Sequence, residues 1–414
     1  MPDDDLIKTE SKAKQKKYKP TDKHKAKRQT KTTGPTTHAK SQGKTSREKD
    51  KSPNILYYSN QDKDNTTQDK TLTSNTKLHR MVKFPSIFIN HGGGPLPLLG
   101  KQPELVQNMK DIVERYLKPL KEEPSAIIMI SAHWESSESS GKKNGNKRQP
   151  CVRITASEKP SMVYDYYGFP QESYTYNYPA PGSPQLAKKI HATFQQHNID
   201  SILDYDRGYD HGIFIPLMIM YPKANVPVVC ISLDGSLDAK RNMEIGKALR
   251  TLRISNGDGE SNGNDTNNDT NDNHDTDDGI LIIGSGYTFH NMNAFFNPST
   301  KTVDASQKFN AWLKQTILVN EENTNGGKNG ENDTCNAKSS RYDVMYDKLV
   351  QWESLSAPYG RICHPREEHL LPLLIIAATA TDDVTPELIY DTTTTTNGGG
   401  SQLSEHAVTG YLFN

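Results

Sequence analysis

The chain has 414 residues, enough for one large domain or for two or three average ones. Only 33% of the residues are hydrophobic and the mean hydropathy is −0.80, so we expect a globular core diluted by disordered segments. The 50 Lys and Arg balance 50 Asp and Glu, but this neutrality averages over unlike parts of the chain. No apolar run reaches the roughly 18 residues of a membrane helix, which excludes an integral membrane protein.

The first 80 residues differ from the rest in composition. Residues 1–53 carry sixteen Lys or Arg against seven Asp or Glu, and residues 1–80 contain almost no large apolar side chains. Such a segment cannot bury enough surface to offset the entropy of ordering, so we predict a disordered basic tail at 1–80. Its run KHKAKRQTK fits a nuclear-localisation or polyanion-binding patch or, as we favour, a solvated tail. The opening MPDDD has no apolar stretch, so no secretory signal is expected.

The cysteines bear on the compartment. They are scattered without CxxC spacing, at Cys151, Cys230, Cys335 and Cys363. This pattern excludes a disulfide scaffold and a cysteine zinc finger, and it fits a reducing environment. We therefore predict a cytoplasmic protein, with the nucleus as the alternative that the basic tail allows.

Residues 81–414 are predicted to form a single α/β domain. Continuously apolar segments predict strands at 84–90, 126–132, 226–233 and 279–286. Helical spacing or a Ser-Pro start predicts helices at 110–120, 183–197 and 306–318, with another beginning at Pro365. Fully apolar strands that alternate with helices indicate a central, mostly parallel sheet flanked by helices. Three polar inserts are expected to be disordered loops, at about 255–278, 321–340 and 391–401.

Three histidines follow predicted strands. His91 and His133 come directly after the first two strands, and His290 lies just past the fourth. In open α/β sheets, ligands bind beyond the carboxyl ends of the strands. One such histidine is ordinary, but three at one edge predict a polar cluster in a single crevice.

Three further histidines stand beside turns or a predicted helix start. His211 lies in YDHGIFIPL, in a turn before an apolar segment, and His364 and His369 lie in CHPREEHLLPLL. If a helix begins at Pro365, His369 projects from near its N-terminus. The pair lacks the HExxH spacing that places two ligands on one helix face, so helix capping and metal binding both fit it.

Several common active-site motifs are missing from the sequence. We find no P-loop and no dinucleotide fingerprint, which disfavours nucleotide binding, and no GxSxG elbow accompanies the HGGGP turn. Several histidines without cysteine ligands suit Zn or Fe(II), and imidazoles that do not bind the metal are natural proton shuttles.

Taken together, the motifs resemble one known family. FPSIFINHGGGP, ISAHWE, VYDYYGFPQESYTYNYPAPGSPQLA, GYDHGIFIPL, GSGYTFHNM and HPREEHLLPL occur in this order between residues 84 and 413. They resemble the class III extradiol ring-cleavage dioxygenases, and more narrowly the DOPA 4,5-dioxygenase branch of the LigB superfamily. The stretch from YDYYGFP to YPAPGSP is the most specific part. The tail and the three inserts lie outside the resemblance.

The resemblance implies roles for five histidines. His91 and His133 correspond to the two metal-binding histidines of the first two strands, and His369 corresponds to a further histidine at the metal site. His211 corresponds to a histidine that is placed at the metal in this branch and described as an acid–base residue in relatives. His290 corresponds to a second acid–base histidine.

The third metal ligand is open in the resemblance. The broader class III enzymes use two histidines and one carboxylate, whereas this branch has a histidine near the expected carboxylate. Either His369, which we prefer, or the adjacent Glu368 supplies that ligand. The resemblance implies one divalent metal per chain, with Fe(II) expected for activity and Zn as the alternative in the purified protein.

The function that the resemblance implies is extradiol cleavage of a DOPA-like catechol by O2, giving a muconic semialdehyde. Its expected partners are therefore the small catechol and O2, without a membrane, and a nucleic-acid partner is disfavoured. Two alternatives stay open: a zinc-dependent hydrolase on the same scaffold, and a non-enzymatic interaction protein that uses its basic tail. The sequence leaves the physiological catechol, the regiochemistry and the oligomeric state undetermined.

Overall fold

The computed structural model describes residues 84–136, 139–144, 147–254, 279–318, 340–383, 385–392 and 406–414. All of them belong to one unit, Arg80–Asn414. The predicted tail at 1–80 and the insert at 255–278 lie outside the described residues. So do the other two inserts, apart from Ser340, Asp391 and Thr392. The predicted domain boundary at residue 81 stays a prediction.

Within the described ranges, ten strands form two sheets. They are β1 Ser86–Asn90, β2 Ala126–Ser136, β3 Ser139–Asn144, β4 Lys147–Pro150, β5 Val152–Thr155, β6 Ser201–Asp204, β7 Val228–Asp234, β8 Ile280–Gly286, β9 Pro386–Asp391 and β10 Thr409–Phe413. Eight of them make one sheet in the order β6-β5-β7-β2-β8-β1-β10-β9, and β3 pairs with β4 alone. The predicted α/β class with one central sheet is confirmed.

The four central strands run parallel, and this direction brings their ends together. β2 pairs in parallel with both β7 and β8, and β8 pairs in parallel with β1. Antiparallel pairing joins β5 to β7 at one side and β10 to β1 at the other. Asn90 at the end of β1 lies opposite Gly286 at the end of β8, so the two strands finish level with each other. The chain segments that follow these strands therefore leave from one edge.

Helices cover both faces of the sheet. They are α1 Pro103–Ile112, α2 Pro184–Gln196, α3 His211–Met220, α4 Ala239–Ile254, α5 Met292–Phe296, α6 Thr300–Leu318, α7 Arg341–Val350, α8 Trp352–Leu355, α9 Tyr359–Cys363 and α10 Leu371–Ala377. Successive residues of β2 point to opposite faces. Ile128 and Ile130 join the core with α2, α4, α6, α7 and α10, whereas Ile127 and Met129 join the core with α1 and α3. Burial of the strands on both faces explains their continuously apolar sequences.

Two predicted helices differ from the observed ones. In place of a helix at 110–120, α1 ends at Ile112 and continues as a π-helical turn and a short 3₁₀ turn, Lys118–Leu120. The helix expected at Pro365 is wrong: residues 364–370 form turns, and α10 begins only at Leu371 with Pro372 in its first turn. His369 therefore lies on the loop before a helix, where its ring is free of the helical side-chain direction.

One observed strand is longer than predicted, and several observed strands were not predicted. β2 continues to Ser136, so His133 lies inside the strand, where the pairing with β7 shifts register between Ile130 and Glu135. The strands β5 and β6 and the helix α4 were not predicted, because these strands are short and partly polar and α4 alternates charged with apolar residues. No helix in the described ranges is both long and apolar enough to span a bilayer.

His364 makes the stability of this fold sensitive to acid. Its ring is fully buried, with the rings of Phe309 and Trp352 at 5.5 and 6.2 Å between centroids. Burial lowers its pKa from 6.5 to about 3. As the pH falls, His364 is therefore protonated at a higher pH in the unfolded chain than in the folded protein. The ring's contribution to the free energy of unfolding is complete above about pH 6.5 and falls by about 1.4 kcal/mol per pH unit as the pH drops toward 3.

We therefore expect the variant His364→Leu to flatten the pH dependence of stability below about pH 6.5. Urea unfolding of the metal-free protein at a series of pH values measures it, with His197→Leu, an exposed histidine, as the matched control. If the His364→Leu and wild-type curves run parallel while the control behaves as wild type, the ring of His364 does not resist protonation in the folded protein.

Candidate metal centre

Three histidines converge through the same ring atom. His91 follows β1, His133 lies in β2, and His369 lies on the loop before α10. The Nε2 atom of His133 is 3.0 Å from Nε2 of His91 and 3.3 Å from Nε2 of His369. His91 and His369 are buried, and the side chain of His133 is 23% exposed. The three Nε2 atoms thus face one point, which lies at the edge where the parallel strands end.

The second ring nitrogen of two of these histidines faces a hydrogen-bond acceptor. Nδ1 of His91 lies 3.0 Å from Oγ of Ser285, and this hydroxyl donates its own proton to the carbonyl of Gly212. The hydroxyl oxygen of Ser285 must therefore accept a hydrogen bond from an N–H at Nδ1 of His91, which leaves Nε2 of the neutral ring with a lone pair. Nδ1 of His369 is 3.2 Å from a carboxylate oxygen of Glu368. A carboxylate accepts only, so the Nε2 atom of His369 carries a lone pair as well.

The electrostatic environment keeps the three rings neutral. Burial lowers the pKa of His91 and of His369 well below the ordinary value, and the neighbouring histidines lower it further. Burial and His211 likewise lower the pKa of His133. Neutral imidazoles whose lone pairs meet about 3 Å apart have no proton to share, whereas a divalent cation between them would use every lone pair. The donor set and its hydrogen-bonded outer nitrogens fit a metal site.

His211 lies beside this trio at the start of α3. Its ring centroid is 3.9 Å from that of His133 and 5.3 Å from that of His91. One ligand nitrogen of each of the three lies within 4.8 Å of the others. Asp165 holds His211 in place: its Oδ1 accepts the backbone N–H of His211 at 3.0 Å and lies 2.8 Å from Nδ1. His211 thus has its Nε2 atom left for the metal or for a substrate.

Asp165 carries a negative charge that two rings share. Its other oxygen, Oδ2, lies 3.5 Å from Nδ1 of His133. Burial alone would raise the pKa of Asp165, but the hydrogen bond from the ring of His211 and the nearby imidazoles bring it down to about 2. The carboxylate therefore stays ionised and serves as an acceptor for both rings.

His290 lies beside His369, the third member of the trio. Its ring stacks on that of His369, with centroids 3.3 Å apart, and its Nδ1 is 3.3 Å from Oε1 of Glu368. The same Oε1 atom faces Nδ1 of His369. Burial raises the pKa of Glu368, but the hydrogen bond and charge of His290 leave it below its ordinary value. Glu368 is thus an ionised acceptor that joins these two histidines.

An arginine ties this carboxylate to the end of β2. Arg366 forms a two-pronged pair with Glu135, two residues after His133, and its guanidinium is 3.5 Å from Oε2 of Glu368. Two-pronged arginine–carboxylate pairs fix geometry as well as charge. The loop that carries His369 is therefore fastened to the strand that carries His133.

The structure brings together the five histidines that the sequence analysis selected: His91, His133, His211, His290 and His369. His364, the neighbour of His369 in the sequence, is buried against Phe309 and Trp352 instead and is in neither group of residues that could hold a metal. Sequence reasoning missed Asp165 and Ser285, because the first stands in a tyrosine-rich segment and the second in a glycine-rich strand end. An acidic residue in YDYYGFP was the available signal for Asp165.

Comparisons with known proteins point to one family. The sequence profile described as the catalytic LigB subunit of aromatic ring-opening dioxygenase matches residues 86–260. The dioxygenase tasH of Hapsidospora irregularis is 29% identical over 322 residues, which are 73% of this chain and 80% of that protein. The 4,5-DOPA dioxygenase extradiol of Beta vulgaris is 29% identical over 74% of this chain and 90% of its own length.

A bacterial relative and a solved structure agree with these matches. The 4,5-DOPA dioxygenase extradiol of Escherichia coli K12 is 27% identical over 71% of this chain and 84% of its own length. The crystal structure of an uncharacterised protein from Escherichia coli K12 aligns with a TM-score of 0.51 and 21% identity, over 80% of this chain and all of that chain. That structure supports the fold alone. The resemblance predicted from the sequence is confirmed: the profile and the named relatives support similarity to the LigB superfamily and, at 27–29% identity, to its DOPA extradiol dioxygenase branch.

Proposed function

We propose that this protein is a non-haem, metal-dependent extradiol dioxygenase that opens the ring of a DOPA-like catechol with O2 to give a muconic semialdehyde. The observation that carries the proposal is the convergence of three Nε2 atoms at the end of the parallel strands, with two more histidines beside them. The relatives named 4,5-DOPA dioxygenase extradiol support the substrate class.

His91, His133 and His369 would hold the metal through their Nε2 atoms, and Fe(II) is the ion that we propose. When bound, Fe(II) would supply binding of the catechol oxygens and of O2 together with the redox step. We assign Glu368 to the outer shell, because its Oε1 faces Nδ1 of His369 while Nε2 of the same ring faces the trio. We therefore propose His369, and not Glu368, as the third metal ligand.

The two remaining histidines would move protons. His211 is held at Nδ1 by Asp165, so its Nε2 can accept the proton of a catechol hydroxyl. His290 is held at Nδ1 by Glu368 and would exchange a proton with the oxygenated substrate through its own Nε2. Of the two roles that the sequence left open for His211, we assign acid–base catalysis, because the three Nε2 atoms that converge belong to His91, His133 and His369. Both rings stand on the rim of the trio, where a bound catechol would meet them.

The experiment is oxygen uptake by the full chain. The protein is freed of metal with a chelator, reconstituted anaerobically with Fe(II), and mixed with L-DOPA or a panel of smaller catechols. We expect one metal per chain, uptake of one O2 per catechol and a yellow ring-opened product. Uptake that depends on neither Fe(II) nor the catechol would contradict the proposal. A chain that binds zinc and consumes no O2 with any catechol would favour a hydrolase.

The variant His290→Ala should separate metal binding from turnover. Because the ring of His290 lies outside the three converging Nε2 atoms, we expect metal content near that of wild type. We expect kcat to fall on the order of 100-fold or more through loss of an acid–base group. Metal analysis and oxygen uptake measure the two effects. Wild-type turnover in this variant would remove His290 from the proposed mechanism.

A further inference from the structure

Asp165 contacts the backbone and the ring of one histidine through a single oxygen atom. Its Oδ1 accepts the backbone N–H of His211 and faces Nδ1 of the same residue, at 3.0 and 2.8 Å. The two residues are 46 positions apart, so the contact depends on how the segment before α2 packs against the start of α3. One carboxylate oxygen therefore fixes both where the helix begins and how its first ring is turned.

The N-cap residue of α3 does not cap the helix with its side chain. Asp210 stands at the N-cap position of α3, but its side chain makes no cap hydrogen bond. It accepts instead from the hydroxyl of Ser131 at 2.7 Å and from Arg207 at 2.7 Å. A capping side chain commonly serves the free N–H groups of the first turn. At α3, Asp165 accepts the N–H of His211 in place of the N-cap residue. Because the same oxygen atom also faces Nδ1 of His211, we infer a role for Asp165 beyond capping the helix.

This second role follows from the hydrogen-bonding chemistry of imidazole. An ionised carboxylate can only accept, so a neutral His211 facing Oδ1 must carry its proton on Nδ1. Its Nε2 then has a lone pair. Without such a partner a neutral histidine favours the other tautomer, in which Nε2 carries the proton and cannot accept one.

We propose that Asp165 is a positioning residue that holds His211 in the Nδ1–H tautomer, so that Nε2 can take the proton of the substrate hydroxyl. The inference rests on the proposed function and deepens it. In the step, the O–H bond of the catechol breaks and an N–H bond forms at Nε2 of His211. The resulting imidazolium donates from Nδ1 to Asp165, and the proton returns to the substrate oxygens later in the cycle, so no net proton is consumed.

The tautomer can be observed without turnover. In the metal-free full chain labelled with ¹⁵N-histidine, the imidazole nitrogen shifts distinguish Nδ1–H from Nε2–H, and the variant His211→Gln identifies the signals of His211. We expect Nδ1–H in wild type and Nε2–H in Asp165→Ala. Asp165→Asn keeps an acceptor oxygen, and we expect it to restore the wild-type tautomer in part. Nε2–H in the wild-type protein, or an unchanged tautomer in Asp165→Ala, would overturn the inference.

Kinetics of the Fe(II)-loaded variants provide the second measurement. In Asp165→Ala we expect kcat for the catechol to fall on the order of 100-fold, with KM changed much less, and part of kcat to return in Asp165→Asn. The matched control is Asp204→Ala, which also removes a carboxylate that accepts two backbone N–H groups, from Asp206 and Arg207. We expect the control to lose stability but to keep the tautomer of His211 and most of kcat.

The outcomes distinguish this inference from the proposed function. If wild type consumes no O2 with any catechol while the tautomer changes as expected in Asp165→Ala, the proposed function is wrong and the positioning contact stands. If wild type turns over and Asp165→Ala keeps wild-type kcat, the positioning role is wrong and the function stands. Equal losses of kcat in Asp165→Ala and Asp204→Ala would show that removal of either carboxylate lowers turnover through loss of local structure, which also overturns the inference.

Discussion

In the variant His133→Ala we expect the metal to be lost and ring-opening activity to fall below detection. Nε2 of His133 is the atom that the other two share, at 3.0 Å from His91 and 3.3 Å from His369. Its removal leaves two ligands that no longer have a common neighbour. Metal analysis after dialysis against Fe(II) or Zn²⁺, together with oxygen uptake, measures the effect.

The matched control is His191→Ala. His191 is also a partly buried histidine with hydrogen-bonded ring nitrogens, but its partners are Ser201 and Gln195 on the helix α2 side of the fold. We expect the control to keep its metal and its activity. Wild-type metal content in His133→Ala would remove this residue from the ligand set, and full activity in both His133→Ala and His290→Ala would overturn the site assignment as a whole.

The variant Gly286→Ala should lower both the stability of the fold and the metal affinity, although Gly286 does not bind the metal itself. A Cβ atom at this position would lie 2.3 Å from the carbonyl oxygen of His369 and 3.2 Å from the ring of Pro372. The backbone N–H of Tyr287 donates to that same carbonyl at 2.8 Å, so the loop cannot move aside without losing a hydrogen bond. We expect the free energy of unfolding to fall by about 1–3 kcal/mol. We expect metal affinity to fall roughly tenfold or more, because the ring of His369 shifts with its backbone.

Chemical denaturation and metal titration measure the two effects of Gly286→Ala separately. Gly100→Ala is the control, since nothing lies within 4 Å of the Cβ that it would add. Its positive φ of 70° gives it a modest stability cost of its own, but it should leave metal affinity unchanged. If Gly286→Ala binds metal as tightly as wild type, the close approach of β8 to the loop does not set the position of His369.

The sequence was most informative where local pattern and topology agree. Continuously apolar strands indicated a buried, mostly parallel sheet, and parallel strands must end at a common edge. The grouping of His91, His133 and His290 therefore followed from the sequence, because each stands at or just past such a strand. The helix predicted at Pro365 failed for the opposite reason: local propensity suggested a start there, but tertiary contacts hold the segment in turns until Leu371.

By itself the sequence determined the α/β class, the family resemblance and the identity of the five clustered histidines. It could not determine which nitrogen of each ring faces the others, nor that Asp165 and Glu368 each join two of them. Those contacts link side chains that are distant in the chain, such as Asp165 and His211 across 46 positions and His133 and His369 across 236. Contacts of this range depend on strand register and on the path of the loops, which tertiary packing alone decides.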